Sequence, residues 1–217
     1  MGEINMGREF LEVFEEWAPS YDEAVTGHDP QYRDVFEGYD TILNEVAQLS
    51  EGTVLEFGLG TGNLTEKIVA KGQPVIGIEP SEPMRKVAKE KLPELEIHEG
   101  DFLDFPLLAQ PINTIVSTYA FHHLTDEEKQ EAITKFHSLL AEGGRVVFAD
   151  TLYENEESKQ EIKQKAKDNG YLDLLEDLNR EYYPQLEDVK SFFTQSGFQF
   201  EAKQRNKFVW LFVAEKQ

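Results

Sequence analysis

From about residue 50 onward, short runs of contiguous apolar residues alternate with longer segments whose apolar positions recur every three or four residues. Thr53-Val54-Leu55-Glu56-Phe57 is short and apolar on both sides, which predicts a buried strand. The turn Gly58-Leu59-Gly60-Thr61-Gly62 follows it, and then a helix over residues 64–71, with Leu64 and Ile68 inward and Gly72 closing it. Residues 74–79 repeat the strand pattern and residues 82–92 the helical one. Residues 96–100 and 112–117 predict two further strands. Thr125 caps the next helix, and Glu128, three positions on, completes a capping box. Ala132, Ile133, Phe136, Leu139 and Leu140 give that helix its buried face, and Gly143-Gly144 stops it before a fifth strand over 145–150. Strands and helices alternating at this interval imply βαβ crossovers, hence a parallel sheet covered on both faces.

Both ends depart from the alternation. Phe10, Val13, Phe14 and Trp17 share one helical face in an opening helix that ends at Ala18-Pro19, because proline disfavours helical geometry in the residue before it. A second helix is expected over residues 32–49, with Val35, Phe36, Tyr39, Ile42, Leu43 and Val46 at helical spacing. At the other end, Phe198-Gln199-Phe200-Glu201-Ala202 has period two and residues 208–214 are nearly all apolar. So few residues separate them that a hairpin, not a helical crossover, must join them. The segment before this hairpin is mostly helical. Its first half, 154–169, is polar except for Ile162 and Ala166, while Leu172, Leu175, Leu178 and Tyr182 form a better stripe. The pattern defines an α/β fold: a doubly wound, mostly parallel seven-stranded sheet ending in an antiparallel hairpin. A single domain over 1–217 is expected, with an N-terminal helical cap over 8–49 and a helical insert over 154–183.

Composition narrows the functions. Lys and Arg total 21 against 42 Asp and Glu, a formal net charge of −21. Such a surface repels phosphate backbones and anionic headgroups, which argues against nucleic-acid and membrane partners and for a small-molecule substrate. The chain has no cysteine, which excludes disulfides, thiolate metal sites and cysteine nucleophiles. No apolar run approaches the roughly 20 residues that span a bilayer. Residues 1–10 lack a basic region followed by an apolar stretch, so no secretory leader is expected and a cytoplasmic location is. Nothing in the pattern bears on oligomeric state.

The chemistry concentrates at the strand ends. Glycines directly after a buried strand permit positive φ and let a ligand approach the backbone, and the next helix offers free N–H groups. Glu79 closes the second strand, 21 residues after Gly58, where a carboxylate in a doubly wound sheet can hold ribose hydroxyls. Pro80 follows it. Asp101, in Gly100-Asp101-Phe102, closes the third strand, where it can accept from an adenine amino group while Phe102 flanks the ring. Each acid alone could be a cap or a solvated strand end; at successive strand ends they mark a nucleoside site. A dinucleotide fingerprint requires glycine three positions beyond the second, where this chain has Asn63, so a nicotinamide-dependent oxidoreductase is the weaker alternative. Glu56, two residues before Gly58, suits a ligand bearing an ammonium group, such as S-adenosyl-L-methionine.

Residues 54–62 resemble the first motif of class I S-adenosylmethionine-dependent methyltransferases. Glu79, Gly100-Asp101-Phe102, residues 115–124 and Leu140-Ala141-Glu142-Gly143-Gly144 are similar to that family's later motifs, in order. Over its whole length the chain also resembles a YrrT-like group of uncharacterised methyltransferases from bacilli. The resemblance implies a Rossmann-like methyltransferase fold. It also implies S-adenosyl-L-methionine as cofactor, held by Tyr21, Glu56, Gly58, Gly60, Gly62, Glu79, Pro80, Asp101, Phe102 and Thr118.

Methyl transfer from a sulfonium is an in-line displacement with an already activated donor, so no dominant catalytic residue is expected. Trp17-Ala18-Pro19-Ser20-Tyr21-Asp22 resembles an element that folds over the cofactor. Tyr21 is a candidate beside the sulfonium, with a core or hinge aromatic as the alternative. Arg33 is a candidate partner of the methionine carboxylate, or a surface residue. Ser117-Thr118-Tyr119-Ala120 replaces the Pro-Pro-aromatic motif of amino-directed nucleic-acid enzymes. His122, ahead of His123, is the candidate general base, with packing as the alternative. No metal is expected, because no carboxylate lies at ligand spacing on the same helix. The insert reads as a lid in which Leu172, Tyr182 and Tyr183 help shape an acceptor pocket. A catalytically silent cofactor-binding module remains the alternative to an enzyme.

Overall fold

The computed structural model describes residues 21–25 and 29–217. The opening helix expected around Phe10, Val13, Phe14 and Trp17, its end at Ala18-Pro19, and the residues up to Ser20 lie outside the described residues. The strands are β1 (Val54–Phe57), β2 (Val75–Ile78), β3 (Glu96–His98), β4 (Ile112–Thr118), β5 (Leu140–Thr151), β6 (Phe198–Gln204) and β7 (Val209–Lys216). Among the described residues the helices are α1 (Tyr21–Ala24), α2 (Tyr39–Leu49), α3 (Asn63–Ala70), α4 (Glu82–Lys91), α5 (Asp126–Leu139), α6 (Glu156–Asp168), α7 (Leu172–Arg180) and α8 (Leu186–Gln195), with a 3-10 turn at Phe121–His123.

All seven strands form one sheet, in the order β3-β2-β1-β4-β5-β7-β6. β1 to β5 run parallel and β7 pairs antiparallel with both β5 and β6. Strand side chains alternate between two cores. Leu55 and Phe57 pack with Ile133 and Phe136 of α5 and Phe193 of α8. Val54 points the other way, to Ile42 and Val46 of α2, Leu64 and Ile68 of α3 and Ala88 of α4. Phe57 is fully buried, worth roughly 1.5–3 kcal/mol in transfer terms. Its ring stacks on Phe102 at 5.1 Å between centroids. That contact ties the chain after β3 to the centre of the sheet and so fixes the position of neighbouring Asp101.

Three local features differ from the pattern-based expectation. The helix expected from residue 32 begins at Tyr39, because Gly38 is left-handed (φ 75°) and the preceding residues form turns. Those turns are held by Asn206, whose side-chain amide donates to the carbonyls of Val35 and Glu37. β5 begins at Leu140, not at residue 145. Its pairing jumps from Ile112↔Leu140 to Thr114↔Arg145, and Gly143 (φ 70°) turns the intervening bulge. Finally, α7 buries Leu174 and Leu178, one turn apart, while Leu172 stays 70% exposed. The stripe expected through Leu172 and Tyr182 is thus out of phase with the face that packs.

The capping box is present as expected: the Thr125 hydroxyl accepts from the Glu128 amide and the Glu128 carboxylate accepts from the Thr125 amide. No helix among the described residues is long and apolar enough to cross a membrane.

Candidate functional site

The ends of β1, β2, β3 and β4 are neighbours in the sheet, so the loops leaving them meet along one edge. A cleft there contains about 680 Å³, counting the part open to solvent. Gly58 and Gly60 reach it from β1, Glu79 and Pro80 from β2, Asp101 and Phe102 from β3, and Thr118, Tyr119 and Ala120 from β4. Tyr21, Met84, His123 and Leu124 complete the lining. Eight of the ten residues expected to hold a cofactor therefore share one cavity; Glu56 and Gly62 do not line it.

The glycine turn is shaped by backbone geometry. Gly58, Gly60 and Gly62 have φ of 62°, 57° and 85°, the left-handed region that disfavours side chains. A Cβ on Gly58 would lie 2.7 Å from the Ala120 Cβ, so the turn can sit against the β4 loop only as glycine. A Cβ on Gly60 would meet nothing within 4 Å, so its backbone lies open to the cleft. Gly62 serves another purpose: it caps α3 in the left-handed conformation, beside Ala88 of α4.

Glu79 is almost fully buried. Its Oε2 accepts from the Gly60 amide at 2.9 Å and its Oε1 from the Ser81 amide at 2.8 Å. Burial raises its carboxyl pKa, and the two amides and the Arg85 guanidinium oppose that shift. Asp101 Oδ1 accepts from the Leu103 and Asp104 amides, both at 2.9 Å, which locks the loop after β3.

Glu56 sits under the turn, not in it. Its Oε2 accepts from Thr65 Oγ1 at 2.6 Å, and burial pushes its carboxyl up to about 8. Burial thus favours its neutral form, and the side chain faces Thr65 and not the cleft. Arg33 is likewise remote: it is exposed and lines a separate hollow with Asp34 and Lys165.

Tyr21 is brought to the cleft by Asp22, a contact that no local pattern announced. Asp22 Oδ1 accepts from Thr61 Oγ1 at 2.6 Å and Asn63 Nδ2 at 3.0 Å, and its Oδ2 pairs with Lys91 Nζ at 2.6 Å. Tyr21 also hydrogen-bonds Tyr39, and burial holds its phenol well above the usual range. Tyr119 adopts φ 55°, rare for a non-glycine, and packs its ring on Phe36 and Tyr39 at 5.3 and 5.5 Å. Its hydroxyl and that of Ser117 are buried without a hydrogen-bond partner among the described residues.

The histidine pair divides. His123 lines the cleft and His122 does not. His122 Nδ1 lies 2.5 Å from Asp150 Oδ1, and its Nε2 faces Glu181 Oε2 at 3.4 Å. Burial alone would lower its pKa, but the two carboxylates outweigh that and raise it to about 9. The ring of His122, the candidate general base, is thus held between two carboxylates and set back from the cleft. Tyr183 stacks on His122 at 4.7 Å, Tyr182 is 39% exposed, and neither they nor Leu172 line the cleft. The insert instead approaches the cleft through Glu181, 3.8 Å from His123. Asp150 and Glu181 were missed because they lie 28 and 59 residues from His122 in sequence.

Known proteins agree with this architecture. Residues 54–144 match the model of a methyltransferase domain. An uncharacterised methyltransferase of Anoxybacillus flavithermus is 57% identical over 212 residues, covering 98% of this chain and 100% of the relative. The uncharacterised methyltransferase YrrT of Halobacillus halophilus is 49% identical over 211 residues, covering 97% and 99%. Among solved structures, magnesium protoporphyrin IX methyltransferase from Synechocystis, with S-adenosylmethionine bound, superposes with a TM-score of 0.71. It shares 16% identity and each chain is covered completely. The chain belongs to the S-adenosylmethionine-dependent methyltransferases and, within them, to this family shared by bacilli.

Proposed function

We propose that this enzyme moves a methyl group from S-adenosylmethionine to a small-molecule acceptor by in-line displacement at the sulfonium. The observation that carries the proposal is that Glu79 and Asp101 line one cleft with the backbone of Gly58 and Gly60. The cleft fits such a cofactor in kind: glycine backbone, carboxylates from successive strands and the aromatic ring of Phe102 line it together. In this assignment Gly58 and Gly60 hold the methionine portion, Glu79 with Pro80 the ribose, and Asp101 with Phe102 the adenine. Tyr21 stands beside the sulfonium, where an aromatic face tolerates positive charge.

The bound cofactor supplies an activated methyl group. What remains for the chain is to orient the acceptor and exclude water. Thr118, Tyr119, Ala120, His123 and Leu124 form that part of the wall. His123 Nδ1 lies 3.0 Å from the Ala120 carbonyl, and burial lowers its pKa. The mostly apolar lining and the net charge of −21 favour a small, uncharged or cationic acceptor over nucleic acid.

The test is a screen with methyl-labelled S-adenosylmethionine against cell extract separated into small-molecule, protein and RNA fractions. Label is expected in the small-molecule fraction. Label confined to protein or RNA overturns the acceptor class.

A further inference from the structure

A second constellation borders the cleft. His122 Nδ1 faces a carboxylate (Asp150, 2.5 Å) and His123 Nδ1 faces a carbonyl (Ala120, 3.0 Å). With both Nδ1 positions so engaged, both Nε2 atoms turn toward one carboxylate. His122 Nε2 is 3.4 Å from Glu181 Oε2, and His123 Nε2 is 3.8 Å from Glu181 Oε1. These separations exceed the 2.7–3.2 Å of an ordinary N–H···O hydrogen bond. They approach the roughly 3.3–3.5 Å between two ligands that share a tetrahedral zinc ion at about 2.0–2.1 Å from each.

We propose that His122 Nε2, His123 Nε2 and the Glu181 carboxylate form a binding site for a divalent transition-metal ion of the zinc class, on the wall of the cleft. The three ligand atoms lie within 4.8 Å of one another, and both histidines are buried. Metal-bound histidines characteristically give their other ring N–H to a carboxylate or a backbone carbonyl, which is the pattern of Asp150 and Ala120 here. Tyr183 orients the third ligand: its hydroxyl donates to Glu181 Oε2 while its ring stacks on His122. Two imidazoles and one carboxylate suit zinc or a neighbouring transition metal better than calcium or magnesium, which take oxygen ligands. Two histidines and a carboxylate also leave a tetrahedral ion one further position for water or substrate. Because His123 also lines the cleft, the ion would stand beside bound ligands. The expectation of no metal considered carboxylates on the histidines' own helix, whereas Glu181 arrives from beyond α7. The site rests on its own geometry and does not depend on the cofactor assignment.

The test uses full-length, tag-free protein, stripped with a chelator and desalted, then titrated with zinc chloride by calorimetry. A parallel titration with cobalt chloride reads the visible absorption of the bound ion. One equivalent of zinc binding with micromolar or tighter affinity is expected. Glu181→Gln should weaken it at least 10-fold and abolish the cobalt band, and Asp150→Asn should weaken it roughly 10- to 100-fold. Circular dichroism and melting check that each variant is folded; Glu181→Gln, nearly isosteric, decides the matter if Asp150→Asn is not. Absence of stoichiometric zinc binding to the parent protein, or undiminished binding in folded Glu181→Gln, overturns the site. Titration of the same samples with S-adenosylmethionine tests the cofactor assignment separately.

Discussion

Glu79 Oε2 accepts a hydrogen bond from the Gly60 amide at 2.9 Å, across 19 residues of sequence. The carboxylate at the tip of β2 therefore holds the turn at the tip of β1 open. The group assigned to the ribose is also a brace for the backbone assigned to the methionine portion. In Glu79→Gln the side-chain amide can satisfy only one of the two backbone donors, Gly60 and Ser81. Leaving one buried donor unpaired costs about 1–3 kcal/mol. Urea titration without ligand should register that loss; an unchanged midpoint would show that the brace is unimportant.

The clasp made by Asp22 should matter for binding more than for folding. Asp22→Ala removes the acceptor shared by Thr61, Asn63 and Lys91, and with it the anchor of α1 on the glycine turn. Tyr21 then loses its fixed place over the cleft. Cofactor affinity should fall about 3- to 10-fold, or ~0.7–1.4 kcal/mol, while melting shifts little. Stopped-flow binding should show the change mainly as faster dissociation. An unaltered dissociation rate would mean that α1 does not close the site.

Glu56 gives the stability curve a defined slope. Its folded-state pKa is raised to about 8, above its ordinary value of 4.5, by burial. A carboxyl whose folded pKa is raised binds its proton more tightly in the folded state. The stability it contributes is complete below about 4.5 and is lost as pH rises through 8. Within that window the loss approaches about 1.4 kcal/mol per pH unit. Glu56→Gln keeps a neutral group beside Thr65, so its melting profile should be flatter from pH 5 to 9 and should cross above the parent's at the alkaline end. Parallel profiles would show that Glu56 ionises normally.

The parts of the fold readable from sequence were those encoded by neighbours. Val54 to Phe57, the glycine turn and the Thr125–Glu128 box are each specified within a few residues, and the structure has them where the pattern places them. Glu79 and Asp101 were legible because parallel βαβ units bring consecutive strand tips to one edge. What escaped was set by contacts between distant segments. Asp22 reaches Thr61, Glu181 reaches His122, and Asn206 secures the turns before Tyr39, across 39, 59 and about 170 residues. The orientation of Glu56 was hidden for a different reason. Proximity to Gly58 in sequence says nothing of which face of the strand a side chain takes, and this one points to Thr65.

The most direct measurement is calorimetric titration of S-adenosylmethionine into the parent protein, Glu79→Ala and Gly58→Val. Gly58→Val puts a β-branched side chain at φ 62° and 2.7 Å from Ala120, while Glu79→Ala removes the carboxylate from the neighbouring strand tip. The parent should bind one equivalent with affinity in the micromolar range. Each folded variant should bind at least about 30-fold more weakly, ~2 kcal/mol. Equal affinity in all three proteins would place the cofactor elsewhere and contradict the assignment of the cleft.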